Sequence, residues 1–194
     1  MLEIPTKEKG TELMIYKKTT KEIFGESILE LANAKTVDKI TVKEIAENCG
    51  YSSATFYNNF IDKDDLVSWV YLYQTEEIWN DFVEGNNTWY QALFETATLL
   101  NSNRSFYKNA FKNSKGQNSF LNTVHGNAVD LIKSLMKTKC KNYDREIDFY
   151  VDIYIRGTTY SFEDWIINDK DYTPEELALY MCNVVPEKLK DFFV

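Results

Sequence analysis

A chain of 194 residues with 44% hydrophobic and 15% aromatic residues carries enough apolar surface for a substantial core, which excludes a disordered acidic chain. Seven glycines and three prolines leave few tight turns and favour long helices over a sandwich of short strands. The formal charge of −8 divides into −3 over residues 1–66 and −5 over 67–194, which excludes a basic arm; any nucleic-acid site must be local and geometric.

The cysteines (Cys49, Cys140, Cys182) are odd in number and far apart, so free thiols are expected rather than disulfides or a zinc site. No apolar run approaches a membrane span, and "MLEIPTKEKGTELM" lacks the apolar centre of a signal peptide; a cytoplasmic location is expected.

In chain order, residues 1–16 read as a loose arm. From Lys17 to Ala34, Phe24, Ile28, Leu31 and Ala32 recur at helical spacing, which predicts an amphipathic helix. "NAKTVDKI" connects to a second helix with a sharp start: Thr41 and Glu44 form a Thr-x-x-Glu capping box. Val42, Ile45, Ala46 and Cys49 make its buried face, and Gly50 stands where a positive φ ends a helix, so about eight residues are expected. Ser52 then caps a third helix over 53–60, and Asp62 caps a fourth. Short helices with a glycine-containing turn between the second and third make a helix-turn-helix pattern. Later helices are predicted over 63–84, 88–102, 104–113, 118–138, 144–168 and 174–193. Asn86-Asn87 and Gly116 mark breaks, Thr173-Pro174-Glu175-Glu176 marks a start, and Pro186 interrupts the last helix.

"YSSATFYNNF" (51–60) contains no charge. On a helical wheel Phe56 and Phe60 point inward with Tyr51, Ala54, Tyr57 and Asn58 point outward, and Ser53 and Thr55 lie on the flanks. An asparagine suits the adenine edge, and methyls of threonine or alanine suit thymine. The hydroxyls of Tyr57 and Ser53 and the N–H groups near Thr41 and Ser52 suit phosphate, and Lys63 supplies a nearby cation. The plain alternative is a helical hairpin corner whose rings are all core; the joint occurrence of capping box, turn glycine and exit lysine argues against it.

"TVKEIAENCGYSSATFYNNFIDKDDL" (41–66) resembles the helix-turn-helix of TetR-type transcriptional regulators in length, order and residue type. That resemblance implies that Thr41, Ser52, Ser53, Ala54, Thr55, Tyr57, Asn58 and Lys63 form the DNA-binding surface. It implies a homodimer on a near-palindromic double-stranded operator, with a helical ligand-binding domain behind and repression favoured over activation. Three positions depart from the family habit: 53 is often basic and is Ser, 54 is often Gly and is Ala, and 58 is often His and is Asn, so operator sequence and affinity do not carry over. "SKGQNSFLNTV" (114–124) and "YSFEDWIINDKDYTPEELALYM" (160–181) resemble a subgroup that includes the dihydroxyacetone kinase regulators, some of which act with a protein co-regulator.

The expected architecture is all-α: a DNA-binding head over 1–66 and a helical ligand-binding and dimerisation domain over 67–194. Aromatic residues crowd the second part, and a pocket for an unknown small-molecule effector is expected around Trp89, Tyr90, Phe94, Phe120, His125, Tyr150 and Tyr154. Phe149, Ile153, Ile155, Leu177, Met181 and Val184 suit a two-fold four-helix interface or internal packing. Arg104 and Arg156 are expected in structural ion pairs. No nucleophile elbow, P-loop or metal-spaced His/Cys cluster occurs, so neither catalysis nor a metal or cofactor is expected. From another class, a helical interaction module working through a protein partner, its DNA binding weak or lost, accounts for the acidic balance.

Overall fold

Side-chain caps decide where most helices begin. In the computed structural model, which describes residues 18–113, 119–140 and 142–193, Thr19, Thr41, Thr88 and Thr173 each close a capping box with the residue three positions on. Ser52, Asp62, Ser119 and Asp144 cap through one oxygen. The resulting helices are α1 (Thr20–Ala32), α2 (Val42–Asn48), α3 (Ser53–Tyr57), α4 (Lys63–Glu84), α5 (Trp89–Ser102) and α6 (Arg104–Asn113). After them come α7 (Phe120–Lys139), α8 (Arg145–Ile167), α9 (Pro174–Asn183) and α10 (Lys190–Phe193), with 3-10 turns at Val37–Lys39 and Glu187–Leu189. Among the described residues there is no strand, and the fold is all-α. The expected arm 1–16, the break at Gly116 and residues 114–118 of the quoted stretch lie outside the described residues.

Two predicted helices are shorter than the pattern suggested. The third stops at Tyr57 rather than Phe60, because Asn58 caps it and the chain turns through Asn59. The last is broken at Pro186, which separates α9 from the closing 3-10 turn and α10.

The head is built on rings. Phe24, Phe56 and Phe60 meet at centroid distances of 5.3, 5.6 and 6.3 Å, with Ile28, Ile45 and Leu66 buried around them. At about 1.5 Å per residue the 22-residue α4 is about 33 Å long. It runs from the head into the bundle, so position 66/67 falls inside one helix. Gly25 permits the crossing: a Cβ there would lie 3.0 Å from the Trp69 ring and 3.3 Å from Val70. Behind, α4 packs on α5 and α7, α5 on α9, and α8 on α6 and α7. Among the described residues no helix is long and apolar enough to cross a membrane.

Candidate nucleic-acid interface and ligand cavity

The turn between α2 and α3 follows from one glycine. Gly50 sits at φ +76°, its N–H bonds Glu47 O, and the Tyr51 N–H reaches back to Ala46 O at 2.9 Å, closing a Schellman motif. Ser27 and Asn48 tie α1 to α2: the Ser27 hydroxyl donates to Ile45 O, and the Asn48 amide donates to Ser27 Oγ and Glu30. Glu44 accepts from the Thr41 N–H and from Lys35; that ion pair, followed by the Thr41 bond, pushes its carboxyl down to about 2.

On this support α3 presents its ends unequally. Phe56 is fully buried, whereas Tyr57 is 58% exposed and Ala54 and Asn58 are exposed beside it. Ser53 and Thr55 are half-buried flanks. Ser52 Oγ accepts from the Thr55 N–H at 3.1 Å, and the two hydroxyls lie 3.0 Å apart. Asn59 is turned back onto Thr55 O, while no hydrogen bond is formed by the Asn58 side chain among the described residues. Tyr51, expected inward, rests against Phe24 at 5.4 Å but remains 36% exposed, because the Schellman turn places it on the rim.

Lys63 points differently from the sequence expectation of a free surface cation. Its ammonium donates to Val37 O at 2.7 Å, Ile40 O at 2.9 Å and Asp38 O at 3.1 Å, so all three donors close the 3-10 turn ahead of α2. A cation that the sequence reading passed over stands two residues after Thr41: Lys43 is exposed and makes only a loose 3.7 Å pair with Glu47. Its signal was present as a basic residue in the first turn of the capped helix.

A cavity of about 400 Å³ lies between α4, α5, α6, α7 and α8. It is lined by one stripe from each main wall: Trp69, Tyr73, Glu76 and Asn80 on α4, Val124, Asn127 and Leu131 on α7, and Ile155, Thr158 and Phe162 on α8. Of the seven expected pocket residues, Trp89 lines this cavity and the other six lie elsewhere. The Trp89 indole N–H donates to Tyr154, whose hydroxyl donates to Met181 O, so Tyr154 braces the wall from behind. Phe120 is core against Tyr71 and Phe111, and Tyr90 stacks on Phe94 along the outer side of α5. Tyr150 packs beside Phe149. His125 is buried on α7 with Nδ1 unpaired among the described residues; burial, then Arg156, hold its imidazole below the ordinary value. Arg104 is structural as expected, donating to Trp165 O at 2.7 Å and pairing with Asp169.

The expected interface residues divide. Ile155, Leu177 and Met181 are core. Phe149 (61% exposed), Ile153 (54%) and Tyr160 form an open stripe on α8, with nothing within 4 Å of a Cβ added at Gly157 between them. Leu179, Tyr180 and Val184 leave a second apolar face on or next to α9. Among the described residues no group of His, Cys, Asp or Glu is arranged to hold a metal, and the three cysteines are free thiols.

Comparison with known proteins matches two family descriptions. Residues 26–69 match "Bacterial regulatory proteins, tetR family", and residues 87–187 match a TetR-type "Transcriptional regulator C-terminal region". The dhaKLM operon transcriptional activator DhaS of Lactococcus lactis is 25% identical over 113 residues, 58% of this chain and 60% of that protein. A solved DhaS structure superposes with a TM-score of 0.64 at 21% identity, covering 90% of this chain and 98% of that one. The HTH-type regulator YwcC of Bacillus subtilis is 25% identical over 197 residues, 96% of this chain and 82% of that protein. A third likeness is the Thermus thermophilus repressor FadR in complex with lauroyl-CoA, with a TM-score of 0.55 at 15% identity over 90% of this chain and 95% of that one.

Proposed function

The chain belongs to the tetR family of bacterial regulatory proteins and is a transcriptional regulator, and from that premise we propose that two copies bind a near-palindromic operator together. Residues up to about 66 serve as the DNA-reading head and 67–194 as the effector and dimerisation domain. The observation that carries the reading is the division of α3: Phe56 anchors it, and Ala54, Tyr57 and Asn58 are left exposed to solvent. In a major groove Asn58 suits an adenine edge and the Ala54 methyl a thymine, while Ser53, Tyr57 and the exposed Thr41 address phosphate. Thr55 and Ser52 hold the start of α3 in shape. Lys43 is the phosphate cation of this surface, and Lys63 positions the turn preceding α2. The open α8 stripe, with Leu179, Tyr180 and Val184, supplies a self-complementary two-fold face, with Gly157 allowing close approach.

The 400 Å³ cavity is the effector site, within the roughly 300–1,000 Å³ range of small-molecule sites. Binding there alters the spacing between the two heads. Selection from random duplexes with the purified protein tests the central point. The expected outcome is a two-fold motif with half-sites about one helical turn or a multiple apart; recovery of no two-fold motif at low salt overturns it. A promoter fusion to the recovered site reads the sign of the output, for which DhaS is named an activator and the Thermus protein a repressor.

A further inference from the structure

We infer that the cavity selects an aromatic or apolar cation and discriminates against anions, with Glu76 as the residue that sets the preference. The inference rests on reading the cavity as the effector site and concerns what that site accepts. Among the described residues Glu76 is the single charged side chain on the lining, and no lysine, arginine or histidine is among the lining residues. Among the described residues Glu76 makes no hydrogen bond or ion pair, and it is exposed on α4 between Tyr73 and Asn80, at the polar rim. Its charge is therefore not already neutralised by a neighbour.

The inner walls agree with that charge. Trp69, Tyr73, Trp79 and Trp89 bring aromatic rings to the lining, and the negative quadrupole of an aromatic face attracts a cation within about 6 Å. The threonine hydroxyls on the wall spend their protons inside their own helices: Thr75 donates to Tyr71 O at 2.9 Å, Thr158 to Ile155 O at 2.9 Å and Thr159 to Ile155 O at 2.8 Å. Their oxygens keep acceptor lone pairs and have no proton left for an anion. The Trp89 donor is committed to Tyr154. The remaining donors, such as the Tyr71 hydroxyl and the Trp69 and Trp79 indoles, are neutral and do not balance a carboxylate or phosphate brought out of water. The chain's charge of −8 further raises the local concentration of cations over anions.

Three probes of one shape isolate the charge: 1-naphthylmethylamine as the ammonium, 1-naphthylmethanol and 1-naphthylacetate. Quenching of tryptophan fluorescence reports binding, since three of the four tryptophans line the cavity. The expected order is ammonium, then alcohol, then carboxylate, with about tenfold or more between the ends (1.4 kcal/mol per tenfold). Glu76→Gln, at an exposed and unbonded position, is expected to remove the ammonium advantage and leave the alcohol within about twofold. Ala128→Trp fills the space and is expected to weaken all three probes alike. A carboxylate that binds as well as the ammonium, and is lost in Ala128→Trp, overturns the charge preference but leaves the effector cavity standing. An ammonium advantage that survives Glu76→Gln removes Glu76 from the role assigned to it. Probes that bind equally well to Ala128→Trp, or that do not bind, overturn the cavity reading and the preference together.

Discussion

Replacing Lys63 by methionine separates two roles that DNA affinity alone confuses. The methionine keeps the apolar stem and removes three donors, those reaching Val37 O, Asp38 O and Ile40 O. Hydrogen bonds to a charged group contribute about 1.5–3 kcal/mol each when well buried, and less where solvent screens them. Lys63 is half-buried and also stands in the first turn of α4, where a cation is unfavourable by about 0.3–1 kcal/mol. Discounting the bonds for exposure and subtracting that term leaves a loss of about 2 kcal/mol. For a chain of this size that lowers Tm by about 4–8 °C, measured by thermal unfolding followed by circular dichroism. Operator affinity should fall at every salt concentration with the slope of log K against log salt unchanged, since no phosphate contact is lost. An unchanged Tm together with a slope smaller by about 0.9 per half-site would refute the reasoning and return Lys63 to the phosphate surface.

Asn58→Ala is expected to cost about 1–3 kcal/mol of discrimination at one base pair per half-site, measured by competition among single-substituted duplexes; uniform weakening across sequences would count against base reading. Ile153→Glu places a charge on the open α8 stripe without touching the core, so the protein should sediment near its single-chain mass of 22.7 kDa with its helical circular dichroism retained and its unfolding temperature lowered by the loss of the partner. A dimer that persists would move the interface elsewhere. Glu44 has its native carboxyl pushed down to about 2, chiefly by Lys35. Its contribution to the α2 cap is complete above the ordinary 4.5 and is lost as pH falls toward 2. An NMR titration of the Glu44 carboxyl gives the midpoint, and one at 4 or above in the folded protein removes the ion pair from the account.

The elements most legible in the sequence were those set by neighbours a few residues apart. Thr41 with Glu44, Gly50 at the turn, Ser52, Asp62 and Pro186 each act through the local backbone, and each stands in the fold where local chemistry places it. The Thr19 and Thr88 capping boxes follow the same rule and were readable on the same terms. The inward direction of Phe56 and Phe60 was legible in their spacing, but the period did not reveal that Asn58 ends α3 and leaves Phe60 beyond it. The cavity was less legible because the number of aromatic residues says nothing about which of them share a facing register. The α4 stripe that lines it includes the polar Glu76 and Asn80, which a search for rings passes over. Lys63 reaches carbonyls 23 to 26 residues away, and no local pattern reports such a neighbour.

Cavity and head share side chains, and this gives the proposed coupling a physical path. Trp69 and Tyr73 both line the cavity and stack on each other at 4.9 Å and 14°. Trp69 also meets Phe60 at 5.8 Å, Phe60 meets Phe56 at 5.6 Å, and Phe56 meets the exposed Tyr57 at 5.5 Å. The indole leaves no room on its other side, where a single methyl at Gly25 would already be tight. The Tyr73 hydroxyl donates to Glu22, whose carboxylate closes the α1 capping box with the Thr19 N–H at 2.6 Å. A close-packed core does not absorb a displaced indole without moving its neighbours. An occupant that shifts Trp69 or Tyr73 therefore acts on the anchor of α3 through one ring and on the start of α1 through the other. Free energies of only 1–3 kcal/mol are typical of such coupling between sites, and a few ring contacts and one charge-assisted hydrogen bond lie on that scale. The same side chains thus close the back of the head and one wall of the cavity, which is the path by which an occupant of the proposed effector site would act on the proposed DNA-reading head.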